Sequence, residues 1–389
     1  TLASLRAVDV LAIEGGVPVN AITIDNVANE NLSWESTTQL DIGVDVGLLN
    51  DRIDLSMDYY SMVTSDLLFS VPLPEYSGYG SQLKNIGKVG NKGFELSLNS
   101  RNLVGEFSWD MGINVSANRN KVLELPDDGI DIQYSSGPGH LVGLGNTQIL
   151  REGEPVGVFY GWIYDGVYQE GDDFIEGGGF EQEAGGEKFR DIDGTRDVNG
   201  ELTGVPDSQL NNDDRAIIGD PNPDFIWGFN NDFRWKGFDL NVFFQASQGN
   251  DVFNYTLLEL DLLAGRNNAT TAALERWTPT NTDTDVPKAN GGRSRRATSR
   301  WIHDGSFIRL KNLALGYNIP QSVLDRLNIR KLRVYVSAQN ILTFTDYEGY
   351  DPEVNYRSSG ATNSNRNLGL DYASYPNAKS YTFGINLGF

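Results

Sequence analysis

Alternation of apolar and polar residues is the feature that most limits how this chain can fold. The C-terminal stretch shows it without a break, from Tyr381 to Phe389, with Thr, Gly and Asn at every second position. A repeat of two puts alternate side chains on opposite faces of a β-strand, whereas an α-helix needs a repeat of about 3.6. The same repeat occurs in residues 40–48, 53–59, 94–98, 107–115, 225–235, 238–244, 308–317 and 332–338. We therefore predict an all-β protein with roughly nine antiparallel strands, each of about ten residues.

One of these stretches changes the side on which its apolar residues fall. Leu310 belongs to one set of alternate positions, and Leu313 belongs to the other. One extra residue near Lys311 and Asn312 would bring the two sets back to the same face. A β-bulge is the usual way in which a strand absorbs such a residue. We therefore expect a bulge at this position.

The connections between the strands alternate between short and long. Short turns are expected at 49–52, 102–105 and 236–237, and long polar segments at 65–90, 120–221, 250–300 and 345–378. Any antiparallel sheet with one wet face alternates in this way. Short turns at one end and long loops at the other are typical of outer-membrane barrels, and a face rich in Gly, Ser, Asn and Asp suits a watery lumen. Together these features favour a transmembrane antiparallel β-barrel with long extracellular loops.

The final strand predicts which side chains face the membrane. In a barrel wall, apolar residues face lipid and the polar residues between them face the lumen. We therefore expect five residues of this strand to face lipid, namely Tyr381, Phe383, Ile385, Leu387 and Phe389.

Composition excludes several other classes of protein. The 389 residues contain no apolar run of about 18 residues, so a transmembrane helix is not expected. A net charge of -22 argues against nucleic acid as a partner. The chain has no cysteine and only two histidines, which excludes thiolate metal sites and histidine-rich zinc sites. We find no set of nucleophile, base and oxyanion donors, and we expect a protein that is not an enzyme.

Several longer stretches of the chain resemble the SusC/RagA-type TonB-dependent transporters of the Bacteroidota. They are NLSWESTTQLDIGVDVGLLNDRIDLSMDYY from Asn31, NIGKVGNKGFELSLNS from Asn85, PNPDFIWGFNNDFRWKGFDLNVFFQASQGNDVFN from Pro221, IHDGSFIRLKNLALGYNIP from Ile302, LRVYVSAQNILTFTDYEGYDPEV from Leu332, and SYTFGINLGF at the end. The resemblance implies a barrel of about 22 strands with a plugged lumen, of which this chain would supply the C-terminal portion. Residues 1–37 would then be an extracellular loop and lead-in, and residues 38–389 the C-terminal part of the barrel, with the plug domain outside this chain.

The resemblance also implies a function and partners. Members of this group import nutrient oligomers, glycans or peptides, across the bacterial outer membrane together with a SusD-like surface lipoprotein. The TonB–ExbB–ExbD complex would supply energy through a region that precedes this chain. Two alternatives remain open from the residues alone, a passive porin and a surface β-sandwich that binds glycans.

Within the long loops, an acidic segment is the strongest candidate for a metal-binding site. Asp191, Asp193 and Asp197 follow closely on one another, and Asp213 comes soon after. Calcium prefers several oxygen ligands from one short flexible segment. A calcium site is therefore one interpretation, and a solvated acidic loop without metal is the other.

Aromatic residues in the same loop could contact substrate. Tyr160, Trp162 and Tyr164 lie within the alternating stretch from Val158 to Tyr168, which predicts a strand of a loop hairpin. Their rings could stack on sugars or on peptide side chains, and packing or membrane anchoring is the alternative for each.

A locally basic run stands out in this acidic chain. It consists of Arg293, Arg295, Arg296 and Arg300. It could bind lipopolysaccharide phosphates or an acidic substrate, and charge balance within the loop is the alternative.

Overall fold

The computed structural model contains one large antiparallel sheet and a set of smaller ones. The structure describes residues 5–14, 17–24, 26–27, 29, 32–72, 81–85, 87–125, 131–134, 144–198, 200, 202–265, 267–325, 329–354 and 368–389. The large sheet has nine strands, which are β1 (Ser36–Leu48), β2 (Ile53–Ser65), β3 (Lys88–Leu103), β4 (Phe107–Glu124), β5 (Phe225–Trp235), β6 (Phe238–Gln248), β7 (Phe307–Asn318), β8 (Lys331–Phe344) and β9 (Ser380–Gly388).

The nine strands lie side by side in the order in which they occur in the chain. All eight pairings are antiparallel, so the sheet is a simple meander. This arrangement confirms the number of strands expected from the alternation. The strands extend beyond the predicted limits in places, most of all β4, which continues to Glu124.

Three short turns and the connection 319–330 lie at one end of the sheet, and the four longest connections lie at the other. Leu49, Asn50 and Asp51 all have positive φ in the first turn, and Lys236 and Gly237 do so in the third. The long connections are residues 66–87, 125–224, 249–306 and 345–379. The bulge predicted in β7 is also present, because Leu310 and Asn312 pair with both neighbouring strands while Lys311 is passed over.

One face of the sheet is apolar across all nine strands, and the other is polar. Directly opposed residues share a face, and Ile113, Phe229 and Phe244 stand in one such row from β4 to β6. The adjacent row on the other face contains Asn114 and Gly228. The register therefore joins the separate alternations of the sequence into one continuous apolar surface.

Further short elements precede β1 or lie in the connections between the nine strands. Three small sheets are strand pairs, namely Leu5–Glu14 with Val17–Ile24, Tyr164–Val167 with Glu187–Phe189, and Gly194–Arg196 with Leu202–Pro206. Two have three strands each, namely Asn26–Val27, Leu68–Pro72 and Ser81–Asn85 in one, and Asp251–Asn254, Ile302–Asp304 and Leu370–Asp371 in the other. One has four strands, namely Ile132–Tyr134, Gln148–Leu150, Phe159–Trp162 and Arg215–Gly219. The helical turns are Asn212–Asp214, Tyr255–Asp261, Thr271–Glu275, Ser299–Trp301 and Gln321–Leu324. Among the described residues, no helix has the length and apolar character needed to cross a membrane.

Candidate functional site

Three of the long connections pack together at one end of the sheet, and we call this body the loop cap (residues 125–224, 249–306 and 345–379). Its core joins Phe159 of the first connection, Phe253 of the second and Leu370 of the third, all fully buried. The Phe159 and Phe253 rings meet edge to face at 5.7 Å. These segments were expected to be polar loops, but they enclose an apolar core, which gives the cap a defined shape.

A buried cluster of charges joins the first two connections. The Arg293 side chain is fully buried, and its Nη2 lies 2.9 Å from Glu181 Oε2. Arg293 and Arg300 also lie 3.8 and 3.6 Å from Glu187. Burial raises the pKa of Glu187. Burial also favours a higher pKa for Glu181, but the hydrogen bonds from Arg293 outweigh it and hold that pKa below its ordinary value.

The basic run therefore has internal partners in the cap. Besides the contacts of Arg293 and Arg300, Arg295 Nε lies 2.7 Å from Glu259 Oε1. The Arg296 guanidinium lies 4.2 Å from the centre of the Phe180 ring. These contacts support charge balance within the loops as the role of this run.

The stretch from Val158 to Tyr168 does not form the single hairpin strand that its alternation predicted. Phe159–Trp162 pairs with Arg215–Gly219, while Tyr164–Val167 pairs with Glu187–Phe189 in a different sheet. That prediction was wrong because alternation shows only which side of a strand each residue lies on. Two short strands in succession can show the same alternation as one long strand. The stretch therefore belongs to two sheets of the cap.

The three aromatic residues predicted to contact substrate all have partners inside the cap. Tyr160 is buried, and Trp162 Nε1 donates a hydrogen bond of 2.8 Å to the backbone oxygen of Asn211. The Tyr164 hydroxyl donates to the backbone oxygen of Asp285, and burial raises the pKa of Tyr164. The rings thus hold the cap together, and substrate contact by them stays a prediction.

Arg215 is a residue of this site that the sequence did not single out. Its guanidinium lies 4.4 Å from the centre of the Tyr160 ring and 4.9 Å from that of Trp162. It donates to Gln133 Oε1 at 3.1 Å and to the Tyr160 backbone oxygen at 2.9 Å. Burial lowers the pKa of Arg215. In the sequence it follows an acidic pair, and nothing there signals that it stacks on rings more than fifty residues away.

The carboxylates of the predicted calcium site are directed to other partners. Asp191 accepts hydrogen bonds from the backbone of Ser208, and Asp193 accepts them from Gly194 and Gly204. Asp213 forms an ion pair of 2.7 Å with Arg196. Asp197 lies between the paired strands Gly194–Arg196 and Leu202–Pro206. In the part of the chain that the structure describes, no three His, Cys, Asp or Glu residues are grouped so that they could hold a metal ion, and the calcium site stays a prediction.

Beneath the cap, the polar face of the sheet carries a connected set of amides. Asn312 donates to Asn241 at 2.7 Å, and Asn241 donates to Asn230 at the same distance. Asp232 accepts from both Asn230 and Asn241. These residues cross β5, β6 and β7 and hold one another in place. They form a preorganised surface that can exchange hydrogen bonds with a polar solute.

The third connection is attached to this polar face by ion pairs. Arg309 of β7 is almost fully buried, and its guanidinium contacts both Asp351 and Glu353. Lys311 Nζ lies 3.0 Å from Glu353. Burial favours a higher pKa for Asp351, but the hydrogen bond from Arg309 and those from the backbone of Asn377 and Glu353 hold that pKa below its ordinary value. The cap is thus fixed to the inner surface of the sheet as well as to itself.

Comparison with known proteins gives a consistent result. Residues 10–341 match the family described as TonB dependent receptor-like, beta-barrel. TonB-dependent receptor P3 of Formosa agariphila is 50% identical over 100% of this chain and 37% of its own length. TonB-dependent receptor SusC of Bacteroides thetaiotaomicron is 30% identical over 93% of this chain and 32% of its own length.

Solved structures agree. The RagAB peptide transporter structure aligns with a TM-score of 0.78 and 28% identity, over 100% of this chain and 38% of that one. The chain therefore spans about a third of the length of the proteins to which it is similar. The family match, the 50% identical relative and the nine-stranded sheet with one apolar face lead to the same assignment. The chain belongs to the TonB-dependent receptor β-barrel family of the SusC/RagA type, whose members are outer-membrane proteins.

Proposed function

We propose that the protein imports nutrient oligomers, either peptides or glycans, across the outer membrane in a TonB-dependent manner together with a SusD-like lipoprotein. The observation that carries this proposal is the alignment of the whole chain with the RagAB peptide transporter at a TM-score of 0.78. The 30% identity to SusC supports the same role. Energy would come from the TonB–ExbB–ExbD complex.

In this proposal the apolar face contacts lipid and the loop cap lies outside the cell. Tyr381, Phe383 and Ile385 on β9 stand opposite Ala338, Val336 and Val334 of β8, and all six belong to the apolar face. Leu387 on the same strand and Phe389, immediately after it, are also apolar and exposed. The short turns would then face the periplasm, as in other outer-membrane barrels.

The orientation can be tested directly because the chain contains no cysteine. Tyr375 lies in the third connection and is 95% exposed. A Tyr375→Cys variant should react with a membrane-impermeant maleimide on intact cells. A cysteine at Lys236, in a short turn, should react only after the outer membrane is opened. The reverse pattern would contradict the orientation.

The loop cap is the surface that we assign to the lipoprotein and to entering substrate. Its apolar core and buried Arg293–Glu181 pair make it a firm platform. The polar face beneath offers amides to a polar solute that passes into the barrel. A calcium ion bound by the acidic segment would be an additional cofactor.

Uptake by cells distinguishes this proposal from a passive porin. We expect a strain that lacks the protein to lose uptake of peptide or glycan oligomers, and we expect uptake by the wild type to stop when a protonophore collapses the proton gradient. Affinity purification of the tagged protein from the outer membrane should recover one surface lipoprotein. Uptake that persists without the proton gradient would favour the porin.

A further inference from the structure

Three cations lie on the apolar face of the sheet, immediately beyond its last aromatic pair at the cap end. Tyr59 of β2 stands opposite Phe94 of β3. Two residues before Phe94, towards the cap end of β3, Lys92 stands opposite Arg119 of β4. Lys121 follows two residues after Arg119 and is on the same face. All three cationic side chains are exposed. We call Lys92, Arg119 and Lys121 the cationic rim.

The spacing of the cationic rim is unfavourable unless an anion lies there. Directly opposed residues place their Cβ atoms about 5 Å apart, and like charges in that position repel. Residues two apart on a strand are separated by about 7 Å. In a chain with a net charge of -22, three cations on so small an area are not explained by overall composition.

The folded chain neutralises only part of this charge. Arg119 pairs with Asp224, with Nη2 and Oδ1 2.5 Å apart. Lys92 and Lys121 form no ion pair with a carboxylate among the described residues. Lys88 and Glu124, at the cap ends of the same two strands, pair with each other. Two positive charges are therefore left over at the rim.

We infer that the cationic rim binds the phosphate groups of a phosphorylated, acylated glycolipid in the outer leaflet of the membrane. Aromatic residues and Lys or Arg are common anchors where an apolar surface meets a membrane interface. The acyl chains would lie on the apolar face below Tyr59 and Phe94, and the phosphates would lie level with Lys92 and Arg119. Lys and Arg both bind phosphate through charge-assisted hydrogen bonds. The inference rests on the orientation proposed above, which Tyr375→Cys labelling tests separately.

The test compares lipid binding by the protein and by charge variants. The protein is purified from outer membranes in detergent, and its binding of bis-phosphorylated lipid A is followed by native mass spectrometry. We expect Lys92→Gln with Lys121→Gln to weaken binding about thirtyfold, because each cation near an anionic lipid surface strengthens binding about fivefold. Lys92→Arg with Lys121→Arg should keep the affinity. Lys236→Gln with Lys331→Gln, which removes two exposed lysines at the short-turn end of the sheet, is the matched control.

Four results would overturn the inference. One is equal lipid A binding by the wild type and the Gln variant. Another is equal binding of lipid A from which both phosphates have been removed. A third is loss of the copurifying lipoprotein, but not of lipid A, from the Gln variant, which would assign the rim to an acidic protein surface. Inorganic phosphate, added at the same concentration as lipid A, should not displace it. The fourth result is full displacement of lipid A by phosphate, which would contradict a lipid site. Uptake is also measured in the same variants, so that a failure of the transport proposal is distinguished from a failure of the lipid-site inference.

Discussion

The ring of Tyr60 on β2 lies directly over Gly93 on β3, where a Cβ atom would stand 2.2 Å from the ring. The Tyr60 hydroxyl donates a hydrogen bond of 2.9 Å to Asn118 on β4. Tyr335 lies over Gly384 in the same way on the last two strands. Each glycine thus leaves the space in which a large side chain can lie flat on the polar face of the sheet.

A methyl group at Gly93 should therefore destabilise the sheet. We predict that Gly93→Ala costs about 1–3 kcal/mol, the usual range for overpacking. The thermal midpoint of the folded protein in detergent, followed by heat-modifiable migration, is the measurement. Gly178→Ala is the control, since no atom lies within 4 Å of the position of its Cβ. Equal midpoints for the two variants would show that Tyr60 moves aside without cost.

A charge on the apolar face should be costly, and the same charge on the polar face should not. We predict that Ile385→Arg destabilises the protein by about 2–4 kcal/mol if the residue lies near the membrane midplane. Thr382→Arg places arginine on the same strand but on the opposite face, opposite Ser337. Unfolding by denaturant in lipid vesicles compares the two variants, and a similar loss for both would contradict the proposed lipid contact.

Much of the sheet could be predicted from the sequence because the alternation within each strand shows which residues share a face. The shift between Leu310 and Leu313 even located the bulge at Lys311. The cap could not be predicted in this way. Phe159 and Phe253 meet in its core although they are far apart in the chain, and no local repeat marks such a pair.

The charged contacts of the cap could not be predicted from the sequence for the same reason. Arg293 and Glu181 are 112 residues apart, and in the sequence Arg293 belongs to a basic run with no acidic neighbour. Arg309 and Asp351 come from a strand and from the connection that folds back on it. Only the three-dimensional path of the loops brings these charges together.

The ion pair of Asp351 should make the third connection sensitive to acid. Its pKa is held below the ordinary value. A carboxyl with a lowered folded pKa stabilises the protein above its unfolded pKa of about 3.9, and this stabilisation is lost as pH falls through the folded pKa. We predict that a fluorophore on Tyr375→Cys gains mobility below about pH 4.

Asp351→Asn should show that mobility already at neutral pH, because Arg309 loses one of its two carboxylate partners at a cost of about 1–3 kcal/mol. Asp346→Asn, at an exposed position of the same connection, is the control. An unchanged acid response in Asp351→Asn would assign the transition to other groups.

The acidic segment gives two opposite expectations for a chelator. If Asp191, Asp193, Asp197 and Asp213 hold calcium, removing the ion frees mutually repelling carboxylates and loosens the loop. If the hydrogen bonds of the structure are sufficient, the loop is already held, because Asp191 receives the Ser208 N–H at 2.6 Å. Protease cleavage of the hairpin between residues 194 and 206 reports the difference.

From the contacts observed, we predict that a chelator leaves cleavage unchanged, while Asp191→Asn with Asp193→Asn increases it. An amide accepts the backbone N–H groups less strongly than a carboxylate, and weakening charged hydrogen bonds costs about 1–3 kcal/mol. Asp172→Asn, in the same connection but outside the acidic segment, should change nothing in the hairpin. Heat released on titration of calcium into the wild type, and absent from the double variant, would instead establish the calcium site. In that case the ion and the N–H groups of Ser208 and Gly204 share the carboxylates, since each carboxylate oxygen has two lone pairs.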